Sequence, residues 1–248
     1  MKRLIAVAAA AAAFAGTAAA ITNGGPDGNA HPWVGALLAQ QAFSDGTWEE
    51  CSGTLITPTV FLTAEHCDEG VSRVAVTFDS AYDAATGTEY WGTWHGDPLY
   101  SQANGDPHDI AVVVFDKPVK GITPARLPAA GALDSLQPGA VITSVGYGAQ
   151  SVTSGAGGKT FHYEDVRYVA AGSLTTLTQT WLKASQNASH GDGGTCYGDS
   201  GGPNFVGDTN VVAATTITGD TACRSTNVDY RLDTPSARTF LKDYVTLP

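Results

Sequence analysis

The sequence predicts an all-β protein whose only helix lies at its C-terminal end. Three observations lead there. Short runs of strand-forming residues recur along the chain, bounded by Gly, Pro, Asp and Asn. The 29 Gly and 12 Pro supply many turns, and 248 residues are enough to bury a sizeable core in one large domain or two small ones. An apolar fraction of 43% with only 15% charged residues excludes intrinsic disorder. The balance of 13 Lys+Arg against 24 Asp+Glu, a net charge of −11, excludes nucleic acid as the main partner, because no basic run exceeds Lys2-Arg3.

Residues 1–20 read as a secretory leader. Lys2 and Arg3 precede an apolar stretch from Leu4 to Phe14, and Ala18-Ala19-Ala20 is a small-residue cleavage site. The stretch is too short for a membrane span, which needs about 20 apolar residues. Cleavage after Ala20 leaves Ile21 as the first residue and a net charge of −13, from 11 basic and 24 acidic side chains. The expected product is secreted, extracellular and free of a membrane anchor.

Strand-like runs follow at Gly53–Ile56, Val60–Thr63, Val74–Phe78, Ile110–Phe115, Ala140–Val145, Asp165–Val169 and Val211–Ile217. Val74, Val76 and Phe78 alternate with Arg73, Ala75 and Thr77, the pattern of a strand with one wet face. Ile110–Phe115 is continuously apolar, as a strand buried on both faces would be. Prolines 118, 124, 128 and 138 thin out strand signals between Asp116 and Gly139, which makes that stretch the linker between two β-rich halves. Ser154–Lys159 reads as a flexible surface loop. Near the end, Thr234 can cap a helix, Pro235 suits its first position, and Ala237, Phe240, Leu241, Tyr244 and Val245 form its apolar stripe.

Export gives the cysteines a meaning. Cys51 and Cys67 stand sixteen residues apart, Cys196 and Cys223 twenty-seven. Four cysteines allow three pairings, and the sequence alone does not choose; pairing within each half is the simplest. No C-x-x-C or H-E-x-x-H pattern exists, so no metal site is expected.

The strongest chemical signal is Gly198-Asp199-Ser200-Gly201-Gly202-Pro203. A serine flanked by glycines can be approached closely by a substrate backbone. The run also fits the loose G-x-S-x-G elbow of α/β-hydrolases, where acid and then histidine follow the serine. Here the last histidine is His190, so that reading fails and the base must come from upstream. Two segments qualify, Leu62-Thr63-Ala64-Glu65-His66-Cys67 and His108-Asp109-Ile110-Ala111-Val112. The resulting order is His, Asp, Ser.

With these motifs the chain resembles the trypsin/chymotrypsin-like serine proteases. The resemblance extends over Ile21–Gly24, His31-Pro32-Trp33, Cys51–Ile56, Gly146-Tyr147-Gly148, Cys223 and the terminal helix. It implies two packed six-stranded antiparallel β-barrels with the active site between them. Residues 21–125 would form the barrel carrying His66 and Asp109, residues 126–232 the barrel carrying Ser200, and residues 233–248 the C-terminal helix. It also implies the disulfides Cys51–Cys67 and Cys196–Cys223. Ser200 becomes the nucleophile, His66 the general base and then acid, and Asp109 the group that orients the imidazole. The N–H groups of Gly198 and Ser200 become the oxyanion hole. In the family a free N-terminal ammonium pairs with the carboxylate before the nucleophile, here Ile21 with Asp199. Because Ala18–Ala20 abuts Ile21, export itself would free that terminus without a zymogen stage. Protein or peptide substrates and protein protease inhibitors are the implied partners of a monomer, and no cofactor is implied.

Two departures from the family pattern stand out. Glu65 occupies a place where the family usually has a small residue, and its side chain is expected in solvent. Ile217 stands near where a serine commonly donates to the triad aspartate; a slip of one residue would put Thr216 there. These departures motivate the alternative of an inactive homologue that serves as a binding protein. For the substrate pocket, the resemblance puts Gly194 at the floor, Tyr197 at the rim, Gly219 on the wall and Val228 in the interior, with Asp192 or Asp220 as acids that could reach it. Without an acid at Gly194 the expected preference is for an apolar P1 side chain (the residue whose carbonyl is attacked) over Lys or Arg. His95, His162 and His190 read as surface or turn residues, and Trp48, Trp91, Trp94 and Trp181 as scattered packing. Asn187-Ala188-Ser189 is a glycosylation sequon only in a host that modifies such sites, and no oxygen-rich pattern marks a calcium site.

Overall fold

The computed structural model describes residues 20–102, 105–155 and 157–248; apart from Ala20, the expected leader lies outside them. Its strands are β1 (Gly25–Pro26), β2 (Val34–Leu38), β3 (Glu49–Thr57), β4 (Val60–Thr63), β5 (Arg73–Thr77), β6 (Tyr90–Gly96), β7 (Ala111–Phe115) and β8 (Val141–Gly146). They continue as β9 (Ser151–Gly155), β10 (Gly158–His162), β11 (Tyr168–Leu177), β12 (Trp181–Ser185), β13 (Pro203–Val206), β14 (Val212–Gly219) and β15 (Thr226–Arg231). The first barrel closes in the order β2-β3-β4-β7-β6-β5, with β5 pairing back onto β2. The second runs β11-β12-β15-β14-β13-β8 and closes where β8 pairs with β11; β1 adds to its β11 edge. These are the two six-stranded antiparallel barrels that the resemblance implies.

Side-chain alternation explains how they pack. Val113 and Phe115 of β7 point into the first barrel with Leu37, Phe61, Val76 and Phe78. Ile110 and Val112 point the other way, toward Val145, Tyr147, Phe205 and Tyr230 of the second barrel. That double burial is why Ile110–Phe115 is apolar throughout. The same arrangement corrects the reading of β5: Arg73 is exposed, but Ala75 and Thr77 are buried, so the expected wet face is dry over most of its length. The interior of the second barrel is built from Leu133, Ile142, Leu174, Leu182 and Ala213.

Three further segments differ from expectation. Ser154–Lys159 belongs to a surface hairpin in which Gly155 pairs with Gly158 and Ser154 with Lys159. Asp165 is not the start of a strand: it turns the chain at φ 50° and its carboxylate accepts the N–H groups of Trp48 and Glu49. The C-terminal helix spans Pro235–Leu241, shorter than the segment assigned to it, with the Thr234 side chain accepting from Ala237 N. Both disulfides are formed as implied, Cys51–Cys67 and Cys196–Cys223.

Arg167 staples the barrels together. It is fully buried, and its Nε donates to Asp27 Oδ2 at 2.9 Å. One terminal nitrogen donates to Val34 O and Phe78 O of the first barrel and to Tyr147 Oη of the second, at 2.9, 3.1 and 3.2 Å. Removing Arg167 leaves Asp27 with His31 alone and takes a donor from Val34 O, Phe78 O and Tyr147 Oη, and breaking a buried, hydrogen-bonded ion pair is costly. Arg167→Ala should therefore lower unfolding stability by about 3–5 kcal/mol, read by chemical denaturation.

Candidate active site

The first barrel delivers an imidazole–carboxylate pair. After β4, Glu65–Cys67 makes one 3-10 turn, and the Cys51–Cys67 bond ties it to β3. Asp109, just before β7, is 3% exposed. Its Oδ1 accepts the His66 N–H at 2.9 Å, and its Oδ2 lies 2.8 Å from His66 Nδ1. The carboxylate thus grips both the backbone and the ring of His66, which fixes the ring's orientation and leaves Nε2 to the cleft.

The second barrel delivers the serine. Gly198 adopts φ +94° and Gly201 φ +76°, conformations that favour glycine. Glycine is also required by space: a Cβ on Gly198 would lie 2.7 Å from Glu49 Oε1, and one on Gly201 would lie 2.1 Å from Thr63 Oγ1. The loop is tied across the seam by Ser52 of β3, whose N–H donates to Ser200 O at 2.8 Å and whose hydroxyl donates to Gly198 O at 3.0 Å. Ser52 Oγ in turn accepts Tyr147 N, and Ser52 O accepts the Thr63 hydroxyl.

His66 and Ser200 line one cleft of about 280 Å3, together with Thr195, Tyr197, Thr216, Ile217, Gly219 and Asp220. Tyr197 is at its mouth, 48% exposed. Gly194 and Val228 stand outside this lining. Gly194 donates to Thr22 O, and a Cβ there would strike the Gln186 side chain. Val228 pairs with Lys183 and Thr218 on β15 and is half-buried. Of the two acids considered, Asp220 reaches the cleft, while Asp192 accepts the Ser173 hydroxyl elsewhere. Thr216 lines the cleft, and its hydroxyl accepts from Asn204 Nδ2 at 2.9 Å. Behind it, Thr195, Asn227, Asn204 and Ser144 form a buried hydrogen-bonded chain.

Four carboxyls shape the electrostatics. Burial acts to raise Asp220, but the N–H groups of Thr226, Ser225 and Arg224 and the Gln186 amide hold it below its ordinary value. Burial drives Asp229, which adjoins Asn204, Thr216 and Asn227, well above the usual carboxylate range. Glu49, also fully buried, is raised by burial and by the charges of Asp199 and Asp165; neither of its oxygens has a hydrogen-bond partner among the described residues. Asp199 is pushed up to about 7 by burial, against the Cys196 and Gly148 N–H groups that donate to it at 2.8 and 2.9 Å. Among the described residues it forms no ion pair. Sequence reasoning missed Glu49 and Asp229, because one acid inside a strand carries no local mark of burial.

Two closed barrels that bring a histidine–aspartate pair and a glycine-flanked serine to one cleft have the layout of a chymotrypsin-like protease. The family model for trypsin matches residues 22–241, and the chain belongs to that family. It is 29% identical over 197 residues to a trypsin of Saccharopolyspora erythraea, covering 74% of this chain and 81% of that one. Solved structures agree in fold. Mouse neuropsin, a serine protease expressed in the limbic system, superposes with a TM-score of 0.67 at 20% identity over 87% of this chain and 95% of its own. HL collagenase gives 0.69 at 16% identity, covering 89% and 97%. Human heparin binding protein gives 0.67 at 17%, covering 90% and 95%.

Asp199 gives a test of sign. Its folded value lies above the unfolded one of about 3.9, so the folded state holds the proton longer and loses stability as pH rises between those values. A chain that retains residues before Ile21 should lose stability from this group, on the order of 1 kcal/mol per pH unit, as pH rises from about 4 to about 7. Denaturant unfolding at the two ends of that range, with Asp199→Asn abolishing the group's share, measures it.

Proposed function

We propose that this chain is a secreted serine endopeptidase that hydrolyses peptide bonds through an acyl-enzyme. The observation that carries the reading is the 2.8 Å contact between His66 Nδ1 and Asp109 on the cleft that Ser200 shares. In the proposed reaction Ser200 Oγ bonds to the scissile carbonyl carbon while His66 Nε2 takes its proton. Negative charge gathers on the carbonyl oxygen and is met by the N–H groups of Gly198 and Ser200. His66 then gives the proton to the departing amine as the C–N bond breaks. Water, activated by the same ring, releases the acyl group. Asp109 steadies the imidazolium throughout.

Cleavage before Ile21 completes the site in this reading. Ile21 is fully buried and sits at φ 40°, a conformation β-branched residues avoid. Cutting the Ala20–Ile21 bond removes the carbonyl that defines that angle and creates an ammonium. Paired with Asp199, that ammonium supplies a cation that the buried carboxylate does not find among the described residues. The leader and the two disulfides support export. The proposed partners are protein or peptide substrates and protein protease inhibitors, met by a monomer. No helix among the described residues is long and apolar enough to cross a membrane.

The P1 side chain is proposed to be apolar and not Lys or Arg. Asp220 is ionised, but its oxygens already accept backbone N–H groups and the Gln186 amide, and burial favours the neutral form of Asp229, so neither has an oxygen set aside for a substrate cation. On peptide amides differing only at P1, kcat/KM should be at least about tenfold higher for Leu or Phe than for Lys or Arg. Intact mass before and after a fluorophosphonate probe tests the reaction class. One adduct on Ser200, absent in Ser200→Ala, on a chain beginning at Ile21 is the expected result. A folded chain that begins at Ile21 and stays unlabelled would instead be a binding homologue.

A further inference from the structure

Glu65 precedes His66 in the turn that carries the ring to the cleft. It does not point into solvent. The side chain is half-buried and accepts the Trp94 Nε1–H at 3.2 Å. Its carboxyl lies over Gly96, where a Cβ would come within 1.9 Å of Oε2 and push the carboxyl from this position. Gly96 ends β6 opposite Ala111, the first residue of β7, and the next residue, Asp97, donates its N–H to Ile110 O. The strand ends that seat Asp109 therefore also seat Glu65.

Every element around Glu65 brings an ionisable group. Its own turn brings Asp68, the end of β6 brings Asp97, the lead into β7 brings Asp109, and the following loop brings Tyr100. Asp97 is engaged with His108 Nδ1 at 3.1 Å and Asp109 with His66, whereas Glu65 is held by the Trp94 indole. Burial, with Asp68, Asp109 and Asp97 adding to it and Trp94 opposing, pushes Glu65 up to about 7. It therefore changes charge within the range in which a histidine base works.

We propose that Glu65 is a positioning residue for proton transfer at His66: its carboxylate adds a second negative charge to the His66–Asp109 pair, and protonating Glu65 weakens His66 as a base. The inference rests on the catalytic reading of His66, Asp109 and Ser200. A nearby carboxylate favours the imidazolium that forms as Ser200 loses its proton. Below neutrality Glu65 takes up a proton and that help is withdrawn. The acid side of the activity profile then contains two proton steps.

The test is kcat/KM against pH on one peptide amide for the processed enzyme and two variants. In Glu65→Gln the acid limb should collapse to one proton step, move down by about half a pH unit or more, and reach a plateau several-fold lower. Trp94→Phe removes the donor that favours the ionised form, so its limb should move up instead. Salt near 1 M, which cuts the screening length to about 3 Å, should bring wild type toward Glu65→Gln. Superimposable limbs for wild type and Glu65→Gln would overturn the proposal. If Glu65→Gln does not fold, an unmoved limb in Trp94→Phe overturns it equally. Wild type that reacts with no fluorophosphonate at any pH would refute the catalytic reading itself, a different failure from a labelled enzyme with unmoved limbs.

Discussion

The site depends on one seam contact. Ser52 belongs to the first barrel, yet its N–H holds Ser200 O and its hydroxyl holds Gly198 O, while Tyr147 N returns to that hydroxyl. His66 and Asp109 come from the same barrel as Ser52, and Ser200 from the other. Arg167 and Asp165 join the barrels elsewhere, and at the serine loop Ser52 adds direction that apolar contact lacks. Ser52 is fully buried, so its hydrogen bonds do not compete with water. The glycines at 146, 198, 201 and 202 follow from the same closeness, since the backbone of the serine loop runs within contact of Ser52, Thr63 and Glu49.

Around that seam the protein carries an unusual load of buried charge. Arg167 and Asp27 neutralise each other at one end of the interface. Near Ser200, Glu49 and Asp199 are fully buried acids whose values are raised, one of them by the other. A dry site does not hold two adjacent carboxylates ionised without a cation, so a proton or an ammonium must be present. The proposed role of Ile21 gives that constraint a use: forming the terminus and settling the charge beside the proposed oxyanion glycine become one event.

Much of this was legible in the sequence because the relevant signals are local. Gly198–Pro203 announces a tight turn around a serine, Ala64–Cys67 a histidine beside a disulfide, and His108–Val112 an acid leading into a strand buried on both faces. What was not legible depends on partners distant in sequence. Arg167 looks like any basic residue until Asp27 and Val34, more than a hundred residues away, fold around it. Glu65 reads as solvated beside a histidine, and only Trp94 and Gly96 from β6 show otherwise. Strand β6 itself escaped notice because its alternation is inverted, with Trp91 exposed and Gly92 buried. The surroundings of Gly194 were hidden for a related reason: the side chain of Gln186 fills the space beside it, and a glycine does not reveal who occupies its missing Cβ.

If the seam contact sets the site, removing one hydroxyl there must act at a distance on the chemistry. The most direct measurement is steady-state kinetics of Ser52→Ala alongside its rate of reaction with a fluorophosphonate. Loss of the hydroxyl takes away the partner of both Gly198 O and Tyr147 N–H, and kcat and the labelling rate should both fall by about 10- to 100-fold with KM nearly unchanged. A variant that folds and reacts like wild type would show instead that the hydroxyl's bonds to Gly198 O and Tyr147 N do not set the site.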